Sequence, residues 1–105
     1  MLIAIASTDG ETVNAHFGRA DRFLIYDIAP GSRSMMSIRK VEPLSTGERN
    51  HSFDQQRIDA VVEAIKDCRM VYCTKIGERP RQELEKYGIT AIIGNMDIQS
   101  IFEGK

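Results

Sequence analysis

Phe23-Leu24-Ile25-Tyr26-Asp27-Ile28, then Ala29-Pro30-Gly31, then Ser34-Met35-Met36-Ser37-Ile38-Arg39-Lys40-Val41: this stretch decides the fold. The first run is rich in aromatic and β-branched residues, and Pro30-Gly31 closes it with a turn signal. The second run places Met36, Ile38 and Lys40 on one parity and Met35, Ser37, Arg39 and Val41 on the other. That alternation is noisy but compatible with a strand. Two strands joined by so short a turn pair antiparallel, because a parallel pair needs a crossover of about a dozen residues or more. The hairpin therefore argues against a flavodoxin-like sheet, in which a helix would join these two runs.

Working outward, Leu2-Ile3-Ala4-Ile5-Ala6-Ser7 is a short apolar run closed by Thr8-Asp9-Gly10, and it reads as a buried strand. Downstream, Pro43 to His51 is polar, contains Gly47 and has no period, so a loop is expected. Ser52 and Gln55 then have capping-box spacing. Ile58, Val61, Val62 and Ile65 follow at i, i+3, i+4 and i+7, which predicts an amphipathic helix with Asp59, Glu63, Lys66 and Asp67 toward solvent. Met70 to Thr74 is a further apolar strand. Pro80 is expected to open a second helix, with Leu84 and Tyr87 on its inner face and Gly88 at its C-terminal cap. Ile89 to Ile93 is a last strand ended by Gly94-Asn95, and Asp97 can cap a final helical turn carrying Ile98, Ile101 and Phe102.

Three meandering strands followed by helix–strand–helix–strand predict an α/β protein with a mixed five-stranded sheet flanked by helices. The order that fits is 3-2-1-4-5, a ribonuclease-H-like arrangement, as a single domain over residues 1–105. The first and fourth strands are apolar on both parities and are expected at the centre.

Bulk properties narrow the function classes. Lys and Arg number 14 against 15 Asp and Glu, for a net charge of −1. A nucleic-acid partner would call for a clear basic excess. No apolar stretch approaches the ~20 residues of a membrane span, and the apolar start is too short for a signal-peptide core. Cys68 and Cys73 are too few for a disulfide framework and lack the two-residue gap of a zinc or redox pair. A reducing cytoplasm is the expected compartment.

If the two central strands are parallel neighbours, their C-terminal ends open on one sheet edge, where ligands of open α/β sheets bind. That edge receives Ser7-Thr8-Asp9-Gly10 and Cys73-Thr74-Lys75, with Val13-Asn14-Ala15-His16-Phe17-Gly18-Arg19-Ala20 in the loop above it. His16 is the outstanding side chain, since imidazole ligates iron, molybdenum and zinc. Gly18 would let backbone approach a bulky ligand, and Arg19 and Arg22 can pair with an anion. Plainer roles stand beside these: His16 as a loop brace, Phe17 and Phe23 as core plugs, Cys73 as an inert buried thiol. Cys68 precedes a strand and is expected to be partly exposed. His51 is a further candidate ligand, and Arg79-Pro80-Arg81 is read as a solvated helix start.

Ile3-Ala4-Ile5-Ala6-Ser7-Thr8-Asp9-Gly10, then Val13 to Ala20 with its His-Phe-Gly core, then Phe23, resembles the signature of the dinitrogenase iron–molybdenum cofactor binding and biosynthesis family of nitrogenase accessory factors. Arg57-Ile58 to Ile65, Asp67-Cys68, Ile76-Gly77, Pro80 and Leu84 to Gly88-Ile89 resemble its second half, so the likeness covers nearly the whole chain. The resemblance implies a non-enzymatic protein that binds the iron–molybdenum cofactor or an iron–sulfur precursor. It also implies passage of that cargo between metallocluster assembly proteins, with the protein a monomer or weak homo-oligomer. His16 matches the family's cluster-associated histidine and is the expected metal ligand, with Cys73 and His51 as possible additions. Phe17, Gly18, Arg19, Asp9 and Lys75 are expected around the cargo. The chain departs from the family in its short segment before the first long helix, where only Arg49-Asn50-His51 stands in place of a richer Gly/His stretch.

Two rivals are open at this stage. A ribonuclease-H-like fold suggests a nuclease, but that chemistry needs clustered carboxylates around metal ions, and neither central strand carries an acid. A metal-free regulatory or protein-interaction module of the same fold is the other.

Overall fold

The apolar run after Met1 forms β1, Leu2–Ile5, buried between two neighbours in a computed structural model that describes residues 1–42 and 55–103. β1 pairs antiparallel with β2, Arg22–Ala29, and parallel with β4, Met70–Cys73. β3, Ser32–Lys40, lies antiparallel to β2 on one outer edge, and β5, Thr90–Ile93, parallel to β4 on the other. The order is β3-β2-β1-β4-β5, as the sequence predicts, with β1 and β4 adjacent. The hairpin turns at Pro30-Gly31, where Gly31 has φ +79, the left-handed conformation that the second central residue of such a turn requires.

The noise in the β3 pattern has a structural cause. The register slips between Ile25 and Tyr26, so that Ile38 faces Leu24, Ser37 faces Ile25 and Met35 faces Tyr26. Met36 is the extra residue of a β-bulge, and the parity of every earlier β3 side chain reverses across it. Met35 and Ile38 thus share the sheet face of Leu24 and Tyr26, against the parity expected from spacing alone.

The two sheet faces are covered by different helices. α1, Gln55–Ile65, buries Ile58, Val61, Val62 and Ile65 against Ala4, Phe23, Ile25 and Val71. Each such burial contributes about 1.5–3 kcal/mol before the entropy cost of ordering. Asp59, Glu63, Lys66 and Asp67 are exposed as expected. Arg39 reaches from β3 to Asp67 at 2.7 Å and donates to the Ala64 carbonyl at 2.9 Å, tying the free end of α1 to the sheet. The opposite face packs Ile3, Ile5 and Leu24 under α3, Ile98–Glu103, through Ile98, Ile101 and Phe102. α3 starts directly after Asp97, whose carbonyl accepts the N–H and the hydroxyl of Ser100.

α2, Glu78–Glu85, begins two residues before Pro80, whose missing N–H falls in a first turn that has no intrahelical acceptor for it. Gly88 does end the segment: at φ +77 its N–H donates to the Glu85 carbonyl, and the Ile89 N–H donates to Leu84. Leu84 and Ile89 are both buried, but Tyr87 is 56% exposed. Tyr87 lies past the last helical turn, where the chain reverses, so Ile89 takes the inner position expected for it. Cys68 also departs from expectation, being 1% exposed within the α1-side core. Its N–H donates to the Ile65 carbonyl, which folds the helix exit back over the thiol. The Pro43–His51 loop and Ser52 of the capping box lie outside the described residues. No helix among the described residues is long and apolar enough to cross a membrane.

Candidate functional site

β1 and β4 run parallel, so their C-terminal ends open together and the chain leaving β1 folds back across them. Asn14 donates its N–H to the Ala6 carbonyl, the Thr74 N–H donates to Ala15, and the Phe17 N–H donates to Lys75 at 2.8 Å. The loop is thereby laced on both sides of His16 to the end of β4. Phe17–Arg19 then closes a 3₁₀ turn, with the Arg19 N–H donating to the His16 carbonyl at 3.1 Å. Phe17 is 1% exposed and packs on Phe23 with ring centroids 5.6 Å apart, so the residue after His16 is an anchor. His16 itself is exposed, and among the described residues its imidazole has no hydrogen bond or ion pair. The result is a fixed backbone carrying a free imidazole.

Arg19 and Lys75 flank it, both exposed and without an ion pair among the described residues. Gly18 is the middle residue of the turn, between Phe17 and Arg19. Cys73 lies directly beneath: it is fully buried, and the backbone N–H groups of Lys75 and Phe17 face its sulfur. Burial pushes that thiol up to about 11 despite those two donors. A protonated buried thiol is a poor ligand, so metal contact by Cys73 would require the His16 loop to lift. Cys68 is pushed up further, to about 12, by burial and by the Asp67 carboxylate. Arg22, expected beside the anion, is instead held by Asp21 at 3.0 Å.

Asp9 is placed at the same end of β1 but turned to a different task. Its carboxylate accepts the N–H groups of Glu11 and Thr12, at 2.8 and 2.9 Å, and the hydroxyls of Thr12 and Ser7. These donors hold it down at about 2, against an ordinary value of 3.8. The Ser7–Asn14 loop is further pinned by a reciprocal pair, in which Thr8 N–H donates to Asn14 Oδ1 and Asn14 Nδ2 donates to the Thr8 hydroxyl. Because the folded carboxyl titrates below its unfolded value, Asp9 stabilises the fold above about pH 4, and that contribution disappears as pH falls toward 2. Asp9→Asn is therefore expected to lower the urea midpoint at pH 7, with the gap from wild type closing in acid. Parallel urea titrations from pH 7 to pH 2.5 check this.

His16, Phe17, Gly18, Arg19, Lys75 and Cys73 are thus brought together, while Asp9 braces a neighbouring turn and His51 lies outside the described residues. The backbone lacing by Ala15, Phe17, Thr74 and Lys75 went unread in the sequence, because main-chain donors and acceptors leave no residue-type signal. The Thr8–Asn14 pair did offer one: two small polar residues bracketing Asp9-Gly10. Among the described residues, no group of three or more His, Cys, Asp or Glu side chains is arranged to enclose a metal ion.

Comparison with known proteins adds a second line. The family model for dinitrogenase iron-molybdenum cofactor matches residues 1–103. The FeMo cofactor biosynthesis protein NifB of Frankia alni is 36% identical over 92 residues, covering 88% of this chain and 18% of NifB. NifB of Azotobacter vinelandii is 33% identical over 89 residues, covering 85% of this chain and 18% of that protein. The chain therefore spans less than a fifth of these curated relatives. Among solved structures, the crystal structure of PH0822 superposes with a TM-score of 0.73 at 22% identity, covering all of this chain and 92% of that one. The NMR structure of TM1290, a Thermotoga protein of the DUF35 family, gives 0.59 at 19% identity, covering 97% and 84%. At those identities the two structures speak for the fold alone.

Proposed function

The chain belongs to the dinitrogenase iron–molybdenum cofactor family, and from that membership we propose that it binds and carries the iron–molybdenum cofactor, or an iron–sulfur precursor of it, during metallocluster assembly. The observation that carries this reading is the loop, laced to Thr74 and Lys75, that presents an exposed His16 imidazole without a partner among the described residues, with the exposed Arg19 and Lys75 on the same laced segments. On this reading residues 1–105 are one nitrogenase accessory factor-like domain of ribonuclease-H-like type, to which the strand order corresponds. It acts in the cytoplasm by binding, not catalysis, and exchanges cargo with other assembly proteins as a monomer or weak homo-oligomer.

A carrier must give its cargo up. A closed four-cysteine cage holds metal through several strong bonds and releases it slowly, whereas one imidazole contributes a single coordinate bond. The cluster's own sulfides satisfy most of its iron sites, so one protein ligand is enough to mark its position. Arg19 and Lys75 supply positive charge for an anionic cargo, and their exposure keeps that attraction moderate and salt-sensitive. The fixed backbone on either side of His16 means that little ordering entropy is lost on binding.

Anaerobic titration of the apoprotein with isolated iron–molybdenum cofactor, and separately with a plain iron–sulfur cluster, tests the proposal. Metal analysis after desalting is expected to give about one cluster per chain for the preferred cargo. Retention of neither cluster would overturn the carrier reading and leave the metal-free interaction module in its place.

A further inference from the structure

We propose that the outer edge of β3 is a docking strand for an extended acidic segment of a partner protein, which adds to the sheet as a sixth strand. The proposal does not rest on cluster binding. β3 runs from Ser32 to Lys40 on the rim of the sheet, and among the described residues no strand pairs with its outer side. An edge of that length presents a row of free N–H and C=O groups.

Its side chains say what would meet them. In a chain of net charge −1, β3 carries Arg33, Arg39 and Lys40 and no acid. Asp67 neutralises Arg39, but Arg33 and Lys40 make no ion pair among the described residues; the Arg33 guanidinium lies 4.8 Å over the Phe102 ring. Between these cations Met35, Met36 and Ile38 are 47%, 57% and 51% exposed. Edge cations and a bulge are the usual guards against indiscriminate pairing. A strand that needed only guarding would have no use for three half-exposed apolar side chains between them. By their register partners Arg33, Met35, Ile38 and Lys40 lie on one sheet face, so a partner strand with acidic residues at both ends of that face and apolar residues between them meets both features, with main-chain hydrogen bonds giving affinity and the charges giving selection.

A second copy of this chain fits less well. Pairing two β3 edges would bring Arg33 and Lys40 of both copies into one ladder with no acid to meet them. The edge therefore selects against itself and for an acidic strand. Lys40 pairs with Arg22, at the end of the sheet where β1 delivers its loop, so a docked strand would run toward the His16 end of the molecule.

The probe is a fluorescein-labelled seven-residue peptide with glutamate at both ends, valine at its third and fifth positions and threonine elsewhere, followed by fluorescence anisotropy with the full chain, beside the same peptide with lysine for glutamate. Saturable micromolar binding of the acidic peptide alone is expected, with at least tenfold weakening in the double variant Ser34→Glu/Lys40→Glu. Both substituted positions are exposed. Hydrogen exchange is expected to slow at Ser32–Lys40 amides when the acidic peptide is present. Absence of binding, equal binding of both peptides, or slowed exchange confined to other strands would overturn the proposal. So would a peptide-free dimer that protects the β3 amides, which would make a second copy the occupant.

Discussion

His16→Ala is expected to weaken retention of the preferred cluster at least tenfold, about 1.4 kcal/mol or more, while leaving thermal stability nearly unchanged. The two halves of that expectation have separate causes. The imidazole is exposed and makes no hydrogen bond or ion pair among the described residues, so its loss removes no folded-state contact and should fall within about 0.5 kcal/mol of wild type. The loop is held instead by the Thr74, Phe17 and Arg19 N–H groups, which alanine leaves in place. Cargo that reaches the loop would still meet Arg19 and Lys75, and the residual affinity should fall steeply with salt. Lys75→Ala and Arg19→Ala are expected to act the other way round, with a few-fold loss at low salt that fades as ionic strength rises. The measurement is the same anaerobic titration run at two salt concentrations beside a urea melt of each apoprotein. Unchanged affinity in His16→Ala would remove His16 from the ligand role.

The neighbouring residue should give the opposite result. Phe17→Ala is expected to cost about 3–5 kcal/mol of stability, the range for emptying a buried aromatic site. Phe17 is 1% exposed, belongs to the α1-side core and stacks on Phe23 at an interplanar angle of 45°. Domains of this kind are held by about 5–15 kcal/mol in total, so this one change would consume much of the margin. Equilibrium urea unfolding gives the number directly, with Phe17→Leu as the milder comparison. Cluster retention should fail in Phe17→Ala as well, through loss of the anchored loop and not through a lost ligand. Adjacent residues would then separate holding the loop from holding the cargo.

The position of the sheet edge that carries the candidate site was legible because its cause is local. Leu2 to Ser7 and Met70 to Thr74 are apolar on both parities, which only strands buried on both faces tolerate, and parallel neighbours must open at the same end. Asp9 was legible as a residue at that edge but not as a brace, since five hydrogen bonds into its carboxylate depend on how one turn closes. Cys73 read as a buried strand thiol, and it is one. That it sits under the His16 loop required the loop to be placed.

What the sequence determined by itself was the sheet order, the inner face of α1 and the glycine stop after α2. Each is set by interactions within a few residues: the period of apolar side chains, a turn too short for a parallel crossover, a left-handed glycine. Only the tertiary structure decided the bulge at Met36, the burial of Cys68, the exposure of Tyr87 and the lacing of the His16 loop to β4. The bulge follows from how two twisted strands match in length and register, and the lacing joins backbone groups far apart in the chain. Every residue but proline carries the same backbone donor and acceptor, so such contacts are chosen by the fold as a whole and not by the side chains that happen to flank them.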